Sequence, residues 1–145
     1  MSRFHPDESL GFHCNLTVKA FLGSWEKKLK EAGISISPAQ VRALAQLIGS
    51  GALSQSELVD RLSVTPATGV RLVDRMERDG WVVRQPDLQD GRVKLVAPTK
   101  RALEIWEHIA PLGRKVMDQA YQEITSAELE TVKRTLAKVR RNLEG

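Results

Sequence analysis

"VTPATGVRLVDRMERDGWVVRQPDLQDGRVKL", from Val64 to Leu95, changes its hydrophobic period halfway along. Thr65 followed by Pro66 is a helix start, a hydroxyl cap ahead of a residue whose missing N–H is harmless in the first turn. The spacing predicts a helix from Pro66 to Arg78, closed by Gly80, with Gly69, Leu72, Val73 and Met76 at i, i+3, i+4 and i+7 as its buried stripe. After Gly80 the residues become β-branched and short-period: "WVVRQ" and "RVKLV" read as strands, and "PDLQDG" between them as the turn of a hairpin.

Upstream, the same helix-start grammar occurs twice more. In "SPAQ", Ser37 is the N-cap, Pro38 the first helical residue and Gln40 the reciprocating member of a capping box, opening a helix to about Ile48 that stops at "GSG". In "SQSE", Ser54 caps and Glu57 reciprocates, opening a short helix through Arg61. Three capped helices followed by a hairpin make a winged helix-turn-helix lobe over residues 37–98.

Long helices flank it. From Leu10 to Lys30, Leu10, Cys14, Val18, Phe21, Leu22, Trp25 and Leu29 step by three and four, and Gly33 ends the run. After Pro98, Thr99 opens a helix with two apolar stripes: Leu103, Trp106, Ala110, Gly113, Met117, Ala120 and Ile124, and separately Ile105, Ile109, Leu112 and Val116. Pro111 is expected to kink or offset it. Thr125 and Glu128 box the start of a last helix, in which Leu129, Val132, Leu136, Val139 and Leu143 alternate as in a coiled coil. One stripe can pack on the chain's own body, while a second asks for another surface. The fold class is therefore mainly α with a small β-hairpin wing, residues 8–32 and 99–145 forming a helical dimerisation region around the lobe of one compact chain.

With 145 residues the chain can bury a core unaided, and 22 Lys plus Arg against 18 Asp plus Glu leave a formal charge of +4, which permits an anionic partner. A lone cysteine, Cys14, rules out an internal disulfide framework and zinc-finger spacing, and suits a reducing cytoplasm. "MSRFHPDESLGFHC" reads as no signal peptide, and no apolar run approaches bilayer length. The sequence has no GxSxG, P-loop, HExxH or dinucleotide fingerprint, and His5, His13 and His108 lack ligand spacing, so neither an enzyme nor a metal or other cofactor is expected.

The exposed face of the Pro66–Arg78 helix has a different chemistry. Thr65, Pro66, Ala67 and Thr68 are short residues at the helix's free end, where side chains can approach base edges in a DNA major groove. Arg71 has the reach for a base, and Arg75, farther along, is better placed for phosphate. Arg84 lies on the incoming strand, and the hairpin adds Asp90, Gly91, Arg92 and Lys94, a wing able to bring a guanidinium to the minor groove. The competing reading is a winged-helix module for protein contacts, its basic helix merely solvated. Clustering of Arg71, Arg75, Arg84 and Arg92 on one concave dimer face separates the two.

"RLVDRMERDGWVVR", with Arg71, Asp74, Arg75, Glu77, Gly80 and Arg84, and the wing Asp90, Arg92 and, seven residues on, Thr99, resemble the MarR family of bacterial winged-helix transcription regulators over roughly residues 10–143. The resemblance implies a homodimer on double-stranded DNA whose reading helices enter successive major grooves of a pseudo-palindromic operator, most often as a repressor, with Asp90 orienting Arg92. It also implies a small aromatic or phenolic effector, for which His13, Thr17, Trp25 and Arg42 are the candidate lining. Some relatives sense peroxide through a cysteine near the start of the first helix; Cys14, on an apolar stripe and without a resolving partner, reads first as a small buried hydrophobe. The sequence departs from the family at Gly91, where a basic residue is common, and at Pro98, where Leu is. Gly69 weakens the reading helix by about 0.5–1 kcal/mol relative to Ala, a price consistent with close packing on the preceding helix.

Overall fold

The computed structural model describes residues 4–145. A 3-10 turn, Pro6–Glu8, precedes α1, Leu10–Glu31. Then come α2, Pro38–Ser50; β1, Leu53–Ser54; α3, Gln55–Leu62; α4, Pro66–Arg78; β2, Val82–Pro86; β3, Lys94–Pro98; α5, Lys100–Ala120; and α6, Ser126–Glu144.

The caps explain most of these starts. Ser37 with Gln40, and Thr125 with Glu128, each form the full reciprocal box. Thr65 accepts from the Thr68 N–H and Thr99 from the Ala102 N–H. Ser54 likewise accepts from the Glu57 N–H, but Glu57 makes no return bond, a correction to the sequence expectation. Ser54 also closes β1 and pairs with Leu95, so the backbone of this cap residue belongs to a sheet.

That sheet is the second correction. It has three antiparallel strands in the order β1-β3-β2, with Leu53 opposite Val96 and Arg84 opposite Val96 from the other side. Two residues are too few to show a period, so β1 left no signature in the sequence. The wing strands begin and end later than the β-branched runs suggest: Pro86 closes β2 opposite Lys94, and residues 87–93 make the turn. A proline that cannot donate is tolerated at such a strand end.

Leu44, Leu47, Leu58, Val73, Met76, Val82 and Val96 are fully buried at the centre of the lobe. Leu29 of α1 and Ala102 and Ile109 of α5 join the same cluster, so the core continues beyond residues 37–98. Where α3 meets α4, the Val59 side chain packs directly on Gly69. A Cβ on Gly69 would overlap the Val59 side chain, which is why this helix carries a glycine at its inner face.

On α5, Ile109 and Val116 are buried and Ile105 and Leu112 pack against the core, while Leu103 and Met117 of the other stripe remain 49% and 43% exposed. α5 is continuous through Pro111. Ile124, counted in the stripe from sequence, lies beyond the helix end, after Glu123 in a left-handed conformation at φ 60°. No residue of α6 is buried.

Candidate nucleic-acid interface

The structure gives the N-terminal end of α4 a free, hydroxyl-rich tip. Thr65, Pro66, Ala67 and Thr68 are all exposed, and Thr65 donates its hydroxyl to Thr68 Oγ1 at 2.9 Å while capping the helix. Arg71 and Arg75 follow on the same exposed side and enter no ion pair among the described residues. Val73 and Met76 anchor the opposite face in the core. Their side chains fix which way the arginines point, because positions three and four apart share a face.

Arg84 behaves differently from the sequence expectation. Its side chain is only 17% exposed, and its guanidinium is engaged inside the lobe by Asp74 Oδ1 at 2.6 Å and Glu77 Oε1 at 3.0 Å. Nε and Nη2 also donate to Gln55 Oε1 at 3.2 and 3.0 Å, and the Arg84 backbone N–H donates to Glu77 Oε2 at 3.3 Å. Five-donor arginine suits such a junction, tying β2 to α4 and the start of α3 in a way lysine could not. A guanidinium so committed is not a free phosphate clamp. The partners Asp74 and Glu77 stood in the sequence only as members of the family pattern, and Gln55 carried no signal at all.

In the wing, Asp90 Oδ1 accepts from the Arg92 backbone N–H at 3.1 Å and stands 3.5 Å from Arg92 Nε. Asp87 Oδ1 accepts from the Gln89 N–H at 2.8 Å, and backbone bonds between Asp87 and Val93 and between Val93 and Asp90 close the turn. These side-chain-to-backbone bonds shape a tip that holds no hydrophobic core of its own. Arg92 is 95% exposed and Lys94 exposed at the base of the turn. Leu88 projects fully into solvent at the tip, an apolar residue to which the sequence reading assigned no role. Three of the four arginines named from sequence, Arg71, Arg75 and Arg92, are thus solvent-facing cations, and the fourth is a brace.

The effector candidates are less united. His13 Nε2 lies 2.7 Å from the Asp7 carbonyl, and the Thr17 hydroxyl donates to the His13 carbonyl at 2.8 Å. Trp25 packs edge-on to Gly113 of α5, where a Cβ would stand 3.1 Å from its ring. Arg42 donates to the Leu62 carbonyl at 3.2 Å, at the C-terminal end of α3, where a cation meets the negative end of the helix dipole. Among the described residues, one open groove of about 420 Å³ lies beside Glu26, Lys30 and Ile34 and another of about 560 Å³ beside Ile124, Ala127 and Val132; none of the four residues lines either. Cys14 is half-buried, and no cluster of three or more His, Cys, Asp or Glu side chains able to hold a metal occurs among the described residues. No helix among them is long and apolar enough to cross a membrane.

Comparison with known proteins places this geometry in context. A family model described as the MarR family matches residues 34–93. The chain is 30% identical to the HTH-type transcriptional repressor IacR of Pseudomonas putida over 119 residues, 82% of this chain and 70% of that protein. It is also 30% identical to the multiple antibiotic resistance protein MarR of Escherichia coli (strain K12) over 107 residues, 73% of this chain and 74% of that one. Among solved structures, a mutant of MarR from E. coli complexed with operator DNA matches with a TM-score of 0.82 at 26% identity, covering 96% of this chain and 99% of the other.

Proposed function

This chain belongs to the MarR family, and from that premise we propose that it is a sequence-specific DNA-binding transcription regulator, a repressor acting as a homodimer on a pseudo-palindromic operator. The observation that carries the reading is the division of labour among its arginines. Arg84 is neutralised internally by Asp74 and Glu77, whereas Arg71 and Arg75 on α4 and Arg92 on the wing stand exposed on the two elements that face a groove in this fold. The fold match to a MarR structure solved with operator DNA, covered almost completely by this chain, supports DNA as the partner.

In this reading Thr65, Pro66, Ala67, Thr68 and Arg71 approach base edges, Arg75 and Lys94 meet phosphates, and Arg92, aimed by Asp90, reaches the backbone or minor groove. The homodimer draws support from apolar side chains left uncovered on the flanking helices, Leu103, Met117 and Val132 among them. Two reading helices would then sit about 34 Å apart. Release by a small aromatic or phenolic acid belongs to the same proposal at the level of the family. Its support is the resemblance and not a cavity of the single chain, and titrating benzoate into a preformed operator complex tests it by loss of binding.

The deciding experiment selects bound fragments from a genomic library and repeats the binding across a salt series. A steep inverse dependence on salt is expected, since phosphate contacts release counterions. Arg71→Ala should relax sequence preference by about 1–3 kcal/mol, and Arg92→Ala should weaken binding more evenly and lower the salt slope by about one. Salt-independent or absent binding would sink the reading in favour of a protein-contact module.

A further inference from the structure

The corner that joins the reading helix to the wing, Asp79 to Trp81, is gripped by other elements. α4 ends in a Schellman arrangement: the Gly80 N–H donates to the Glu77 carbonyl at 3.1 Å and the Trp81 N–H to the Met76 carbonyl at 2.9 Å, with Gly80 at φ +82°. The carbonyls beyond the last turn then need partners. Thr99, the cap of α5, donates its hydroxyl to the Gly80 carbonyl at 2.7 Å and its N–H to the Trp81 carbonyl at 3.1 Å. Gln40, the one buried polar residue among those described, donates from α2 to Asp79 Oδ2 at 3.3 Å.

Arg101, in the first turn of α5, completes the grip. Its Nη1 donates to the Asp79 carbonyl, and its guanidinium carbon lies 4.1 Å from the centre of the Trp81 ring. A Cβ on Gly80 would stand 3.0 Å from that Nη1, so the guanidinium is seated directly against the turn. Three attractions converge on one side chain: a hydrogen bond to a helix-end carbonyl, a cation at the negative end of the α4 dipole, and a cation over an indole face. Lysine could supply the charge but not the flat fork that does all three at once.

We propose that Arg101 is a positioning residue for DNA reading. It pins the C-terminal end of α4 to the first turn of α5, so that reading helix and α5 move as one body and α5 sets the separation of the two reading helices in a dimer. The inference rests on the DNA-binding, dimeric reading above. Arg101 itself touches no DNA in this account and acts through Asp79 and Trp81.

The test uses the full chain as parent, Arg101→Ala and Arg101→Lys, on the selected operator and on versions with one base pair added or removed between half-sites. A pinned dimer discriminates against both altered spacings. Arg101→Ala is expected to bind the selected operator about tenfold more weakly, a loss near 1.4 kcal/mol, and to narrow its preference over the altered spacings by a similar factor. Its salt slope should equal that of the parent, and Arg101→Lys should recover only part of the spacing preference. An equal weakening on every spacing marks a merely structural residue, and a salt slope lowered by about one marks a phosphate contact; either overturns the proposal. A parent that binds no fragment sinks the DNA reading, and amide hydrogen exchange of the free protein then decides the pin. Faster exchange confined to residues 77–82 in Arg101→Ala supports it, and unchanged exchange there overturns it.

Discussion

Leu44, Leu47, Leu58 and Met76 lie fully buried in the winged lobe, whereas Leu16, Val18, Val132 and Leu143 on α1 and α6 stand between 49% and 82% exposed. Val18, Val132 and Leu143 fall at helical spacing as the buried residues do, and Leu16 stands just off that stripe, so periodicity does not separate the two groups. The difference lies in what the chain can fold over them. Three short helices and a sheet pack around one core, which α1 and α5 join through Leu29, Ala102 and Ile109, while most of the apolar side chains toward the start of α1 and no residue of α6 find such cover. Apolar surface leaves water favourably at roughly 25 cal/mol per Å², so the arms hold a driving force that a single chain does not use. The lobe's specificity is internal, and that of the arms needs a second molecule.

The most direct way to break this contrast is to cut one apolar side chain back to its Cβ on each side. Met76→Ala should cost about 2–5 kcal/mol of unfolding free energy in urea melts, as cavities in closed cores do. Val132→Ala should change the stability of the isolated chain by no more than about 0.5 kcal/mol. Equal losses at low protein concentration would mean that α6 is buried within one chain.

Within the lobe, two glycines sharpen the point. Gly69→Ala should destabilise by about 1–3 kcal/mol, because the new methyl meets Val59 and overpacking outweighs a helix-propensity gain of about 1 kcal/mol. Gly49→Ala on α2, where a Cβ meets nothing within 4 Å, should instead gain about 0.5–1 kcal/mol. Thermal melts of the pair check the sign difference, and a stabilising Gly69→Ala would refute the close α3–α4 contact.

For the arms, Leu16→Asp and Val132→Asp place a charge on exposed apolar positions. Each should weaken self-association by about tenfold or more, since a desolvated charge left unpaired is disfavoured by more than 1.4 kcal/mol. Sedimentation across a dilution series reads this directly. An unchanged dimer in both variants would move the interface elsewhere.

Legibility followed the range of the interaction. Ser37, Thr65, Thr99 and Thr125 cap helices by bonds spanning three residues, and each could be read from its neighbours. Arg84 could not. Its fate depends on Gln55, 29 residues away, and on three elements meeting, so a basic residue on a wing strand looked like a DNA contact. Arg101 and Trp81 were invisible as a pair for the same reason, and β1 was too short to carry a pattern. Exposed Arg71 and Arg75 were legible because they enter no ion pair among the described residues, and Arg92 because its one acidic neighbour, Asp90, lies two residues away in sequence.

The smallest expected effect falls on the wing, where Asp90 and Arg92 form an exposed pair of little stabilising value. Asp90→Ala and Asp90→Asn should each leave the melting free energy within about 0.5 kcal/mol of the parent. On DNA two consequences oppose. Removing a carboxylate near phosphates favours binding in both variants, but only Ala also deletes the acceptor for the Arg92 N–H that shapes the tip. Asn keeps an acceptor oxygen, so it should bind the operator at least as tightly as the parent, and Ala more weakly than Asn. If the two variants bind alike, Asp90 acts on DNA through charge alone and does not aim Arg92.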